Sequence, residues 1–96
     1  MGKIQTEPWD AADHLKTAEE MAAYLEAALE DGDPVLIKAA LCDIARAKGA
    51  SQIARESGIE QESLFKALSP EGSPDFSTIL RIIKASGIRL RAHPEL

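Results

Sequence analysis

The stretch Ser51 to Leu68, SQIARESGIEQESLFKAL, restricts the fold more than any other part of the chain. Ile53 and Ala54 belong to one helical pattern, Leu64 and Leu68 to a second, and Gly58-Ile59 divides them. Glycine lets the backbone turn through positive φ, which side-chain-bearing residues resist. Ala54 is small where a second helix would cross closely. Ile53, Ile59 and Leu64 sit where a shared core would receive them. This is the pattern of a helix-turn-helix, in which the first helix crosses a DNA backbone and the second offers its N-terminal residues to base edges. A helical hairpin with no DNA role satisfies the same pattern.

On the DNA reading, Gln61, Glu62, Phe65 and Lys66 are the residues presented to the duplex. Gln61 can pair in bidentate fashion with adenine, and Glu62 can accept from the cytosine amino group. Phe65 can contact a thymine methyl or fill a gap in the core. Gln52, Arg55, Lys48 and Lys66 suit phosphates, although each charge also suits a plain solvated face.

Charge sharpens the question. The chain carries −5 in all, yet residues 1–45 hold three lysines against ten acids, and residues 46–91 hold eight cations against five acids. The balances are −7 and +3. A partner responds to the local field and not to the sum. The front half suits a basic partner and the back half a polyanion.

The rest of the chain reads as helices. At 96 residues it makes one domain, able to bury roughly 60–65% of its unfolded surface. Residues 1–16 read as an arm with Trp9 as anchor, packing on this domain or on a partner. Thr17 and Glu20 form a capping box before a helix from Ala18 to Glu30, with Met21, Leu25, Ala28 and Leu29 as its apolar stripe. Asp33-Pro34 opens a second helix, buried through Ile37, Leu41, Ile44 and Ala45, and Lys48-Gly49 closes it. Ser51 is expected to cap a third helix, Gln52 to Ser57, and a fourth runs from Gln61 to Leu68. SPEGSPD is a loop. Asp75 caps a fifth helix, Phe76 to Ser86, with Phe76, Ile79, Leu80 and Ile83 at helical spacing. The helical domain thus spans residues 17–87. In residues 88–96, Ile88-Arg-Leu-Arg-Ala alternates with a strand period. Ile88 and Leu90 then pair edge to edge with a second copy or another protein's sheet, or simply pack an extended tail on the core.

With five helices in place, the chain resembles the addiction-module antidote proteins, antitoxins of HigA-like type, from Glu7 to Leu90. The pieces that carry the resemblance are PWD (Pro8 to Asp10), AAYLEAALEDGDP (Ala22 to Pro34), DIARAKG (Asp43 to Gly49), SQIARESG (Ser51 to Gly58) and LFKALSPEGSPDFSTIL (Leu64 to Leu80). The resemblance implies a lambda-repressor-like fold, and with the elements read above the expectation is an all-α, five-helix lambda-repressor-like helix-turn-helix domain with an N-terminal arm and a short C-terminal strand. It implies a small basic toxin of RelE/ParE fold as partner, often an mRNA-cleaving ribonuclease. It also implies two activities, neutralising that toxin and repressing the shared operon through operator DNA; a homodimer is the expected DNA-binding form. One residue departs from the family pattern: Glu60 opens the second reading helix where serine is common. The family's base preference at that point does not carry over.

Other classes find little support. His14 and His93 lie far apart without a ligand pattern, and no serine sits in a nucleophile motif. No glycine-rich phosphate loop is present, so neither enzyme nor cofactor is expected. No apolar run spans a membrane, and no secretory leader is visible. Cys42 lies in an apolar helical pattern and reads as a small core residue in a reducing, cytoplasmic setting. Two further readings compete with an antitoxin: a stand-alone, phage-like transcriptional regulator, and a pure protein inhibitor whose Glu60 and Glu62 have ended DNA binding.

Overall fold

The computed structural model describes residues 11–95. Trp9 and the first part of the arm lie outside the described residues. A 3-10 turn, Ala11–His14, precedes α1 (Ala18–Asp31), α2 (Pro34–Lys48), α3 (Ala50–Ser57), α4 (Gln61–Ala67) and α5 (Phe76–Ala85). The described chain is all-helical.

The ends of α1 and α2 follow from their capping residues. The Thr17 hydroxyl accepts from the Glu20 N–H at 3.1 Å, and the Glu20 carboxylate accepts from the Thr17 N–H at 3.0 Å. Such a cap stabilises a helix start by about 1 kcal/mol. Gly32 takes φ 81° and returns its N–H to the Ala28 carbonyl. Asp33 then caps α2 through the Val35 N–H at 3.0 Å, with Pro34 in the first turn where no N–H is needed. The two-residue link folds α1 back onto α2.

Packing centres on α2, which touches α1, the 3-10 turn and α3, while α3 carries both α4 and α5. Leu25, Leu41, Ile44, Ile53, Leu64 and Ile82 are the fully buried large side chains, so every helix contributes to one core. Ala11 and Leu15 are buried as well, which seats the end of the arm on this domain.

Four expectations are corrected. Ser51 does not cap α3. The helix starts at Ala50, directly after Gly49, which ends α2 and begins α3 at φ 115° without a side-chain cap. With no room between the helices, Ser51 falls inside the first turn. Phe76 is not core: it is 71% exposed, because the buried face of α5 is Ile79, Ile82 and Ile83, with Phe76 at the helix start beyond the core. Leu29, at the end of α1, is 41% exposed, and the α1 seam is Met21, Leu25 and Ala28. Residues 88–95 form no strand. A single extended segment in a helical domain has no neighbour to supply ladder hydrogen bonds. Ile88 packs partly on the core, and Leu90 stays 42% exposed.

Candidate functional site

The α3–α4 pair is built around one carbonyl. Gly58, at φ 74° and ψ 17°, donates its N–H to the Ala54 carbonyl at 3.0 Å, and the Ile59 N–H reaches the same oxygen at 3.2 Å. The chain therefore reverses within three residues, and α4 begins at Gln61. Ile53 and Leu64 are both fully buried where the two helices meet, with Ala54 and Ile59 half-buried beside them. Ile53, Ala54, Gly58, Ile59 and Leu64 thus all lie in or beside the α3–α4 turn.

Ser57 was not singled out by the sequence pattern, yet it is buried and knits this turn. Its hydroxyl donates to the Ala54 carbonyl at 3.3 Å and accepts from the Ile59 N–H at 3.2 Å. A serine directly before a turn glycine is the available signal, since its hydroxyl can bond the backbone two residues on.

The residues expected to face DNA fall into three groups. Arg55, Gln61, Glu62 and Lys66 are exposed together on the two helices. Phe65 is half-buried, so its ring serves the packing as much as the surface. Gln52 and Lys48 are engaged elsewhere. The Gln52 side-chain amide donates to the Glu56 carboxylate at 3.2 Å along the same helix. The Lys48 ammonium donates to the Ser86 carbonyl at 3.2 Å, beside the end of α5. A cation there meets the negative ends of two helices.

Glu60 begins α4 through its backbone, accepting from the Leu64 N–H at 2.8 Å, and its side chain makes no cap. Glu60 and Glu62 thus stand exposed at the positive end of α4, where the helix dipole tolerates carboxylates. The loop after α4 is held from a distance. The Lys38 ammonium, on α2, donates to the Pro70 carbonyl at 3.0 Å and the Gly72 carbonyl at 2.5 Å.

The front of the molecule has a different surface. Glu19, Glu20, Glu26, Glu30 and Asp31 are all exposed on α1. Behind them, Asp43 accepts from the Tyr24 hydroxyl at 2.6 Å and from Arg46 at 2.8 Å, tying α1 to α2. Burial pushes the neighbouring Cys42 thiol above its ordinary pKa, with Arg46 opposing, which disfavours a reactive thiolate. Ile88 and Leu90 line a groove of about 520 Å³ between α5 and the tail, floored by Leu80 and Ile83 and edged by Lys84 and Arg89. Among the described residues, no group of His, Cys, Asp and Glu could hold a metal ion, and no helix is long and apolar enough to cross a membrane.

A family model described as "Probable addiction module antidote protein" matches residues 5–94. An uncharacterized protein of Haemophilus influenzae is 44% identical over 87 residues, covering 91% of this chain and 90% of the relative. No solved structure matches.

Proposed function

The chain belongs to the addiction module antidote family, and on that premise we propose that it neutralises a toxin by direct binding and represses its own operon by binding operator DNA. The observation that carries this reading is the family match, which runs almost the whole length of the chain.

The partner is a small basic toxin of RelE/ParE type. The exposed carboxylates of α1 supply a field of the right sign, and Trp9, Ile88 and Leu90 are the apolar candidates for contact. Operator DNA meets α3 and α4 as a HigA-like helix-turn-helix. In this role α3 crosses the phosphates through Arg55, and α4 offers Gln61, Glu62 and Lys66 to the groove. As a homodimer the chain would set two such helices roughly 34–36 Å apart on a palindrome. The site of action is the cytoplasm, and no catalysis is involved.

Two observations favour a narrower reading. Two carboxylates stand at the start of α4 and Gln52 is turned toward Glu56, which suits a protein inhibitor without an operator.

Co-expression with the neighbouring gene tests the first activity. A basic protein of toxin size should co-purify with the tagged chain, and its growth arrest should lift when the chain is present. A gel shift on the chain's own promoter, at low and moderate salt, tests the second. No co-purifying partner together with a specific shift would favour the stand-alone regulator. A partner without any specific shift would leave only inhibition.

A further inference from the structure

We propose that Lys38 is a positioning residue for α4, setting the pose of the reading helix without touching DNA; the proposal rests on the DNA role inferred for α3 and α4. The argument starts from how little holds α4. It is seven residues long, has no side-chain cap at its start, and packs chiefly on α3. Leu64 and Leu68 anchor its buried side. One row of apolar contacts fixes a short helix against sliding better than against tilting, so the tilt falls to whatever holds its far end.

That far end is the Ser69–Asp75 loop. Gly72 is folded so close beneath α4 that a Cβ there would overlap the Lys66 and Ala67 carbonyls, and the close approach owes nothing to a left-handed backbone. The loop and the last turn of α4 therefore move as one body. The loop's own polar contacts are local: Ser69 returns its hydroxyl to the Lys66 carbonyl and its carbonyl to the Gly72 N–H, and Asp75 caps α5. Lys38 reaches across from α2, 32 and 34 residues back, and takes the Pro70 and Gly72 carbonyls together. An ammonium has three donors and no acceptor, so it can bridge two carbonyls that no neutral apolar side chain could satisfy. The bridge fixes the α4 end to α2, the central helix of the core. Loss of the ammonium frees the loop while Leu64 and Leu68 stay seated, so α4 tilts instead of unfolding.

The test uses the full-length chain and its own promoter DNA across a salt series, with Lys38→Met, which keeps the stem, and Lys38→Arg, which keeps the charge. Lys38→Met should stay folded by circular dichroism and bind about tenfold more weakly at every salt, as expected if the binding pose of α4 falls to about a tenth of the population. The salt slope should not change, because no phosphate contact is lost. Lys38→Arg should recover most of the affinity. Hydrogen exchange should quicken in the last turn of α4 and the loop of Lys38→Met and stay unchanged in α2. A slope reduced by about one would make Lys38 a phosphate ligand and overturn the proposal. Unchanged affinity and unchanged exchange in a folded Lys38→Met would overturn it as well. If the unaltered chain gives no specific shift, the DNA reading falls and takes this role with it, whereas faster exchange in Lys38→Met would still establish the tie.

Discussion

Replacing Gly58 separates backbone strain from steric clash in a way few positions allow. The residue sits at φ 74°, and a Cβ built on it meets nothing within 4 Å. Any loss of stability must therefore come from the left-handed backbone. That conformation costs an L-residue such as alanine roughly 1–2 kcal/mol. The same change removes about 0.4–1 kcal/mol of unfolded-state freedom, which offsets part of the cost. Gly58→Ala should then destabilise by about 1 kcal/mol. For a domain of this size that lowers Tm by roughly 4–8 °C. Asparagine populates the left-handed region more readily than alanine and should lose less, while β-branched valine should lose more. Thermal melts and urea titrations of the four proteins should give the order Gly, Asn, Ala, Val. Gly72 provides the control, since it is not in the left-handed region and a Cβ there overlaps backbone carbonyls. At that position asparagine should do no better than alanine. An alanine at 58 as stable as glycine, or an asparagine there no better than alanine, would refute the reasoning.

Tyr24→Phe should cost roughly 1.5–3 kcal/mol in urea denaturation, since it removes a 2.6 Å hydrogen bond to the half-buried Asp43 carboxylate; a loss near zero would mean that water replaces the hydroxyl. The Thr78 hydrogen bonds hold the Asp75 carboxyl below its ordinary value of 3.8. A depressed folded pKa adds stability above the unfolded value and loses it as pH falls through the folded one. Stability of Asp75→Ala should therefore vary less with pH below 3.8 than that of the parent, read by melts across acid pH. Gln61→Ala should cost about 1–3 kcal/mol on the preferred operator and relax one base position, measured by competition with single-base variants. Arg55→Ala should weaken binding on every sequence and reduce the salt slope by about one in gel shifts.

The capping residues show what could be read without coordinates. Thr17 with Glu20, Asp33 with Pro34, and Asp75 each mark a helix start within a few residues of sequence, and all three caps form as read. The turn at Gly58 was legible for the same reason. Ser51 misled because it has the chemistry of a cap but lies one residue inside a helix that starts without one. On α5 the apolar residues allow two helical stripes, and only the neighbouring helices choose the one through Ile82. The alternation after Gly87 has the period of a strand, but pairing needs a second strand that no local pattern can report. The ties through Lys38 and Asp43 were invisible because their partners lie 19 to 34 residues away. Within the candidate site, residue identity marked Gln61, Glu62 and Arg55 for the surface, where they are exposed. It said nothing of Lys48 reaching back to Ser86.

Gly49 leaves α2 and α3 no slack. A single residue at φ 115° and ψ 111° serves as the end of one helix and the beginning of the next. The two cylinders therefore behave as a crank, and the rotational phase of α3 is inherited from α2. One residue inserted at this elbow would give α3 slack against α2, loosening the seat of Ile53 and the direction in which Arg55 points. Chain length at this one point sets the direction in which the α3–α4 pair faces.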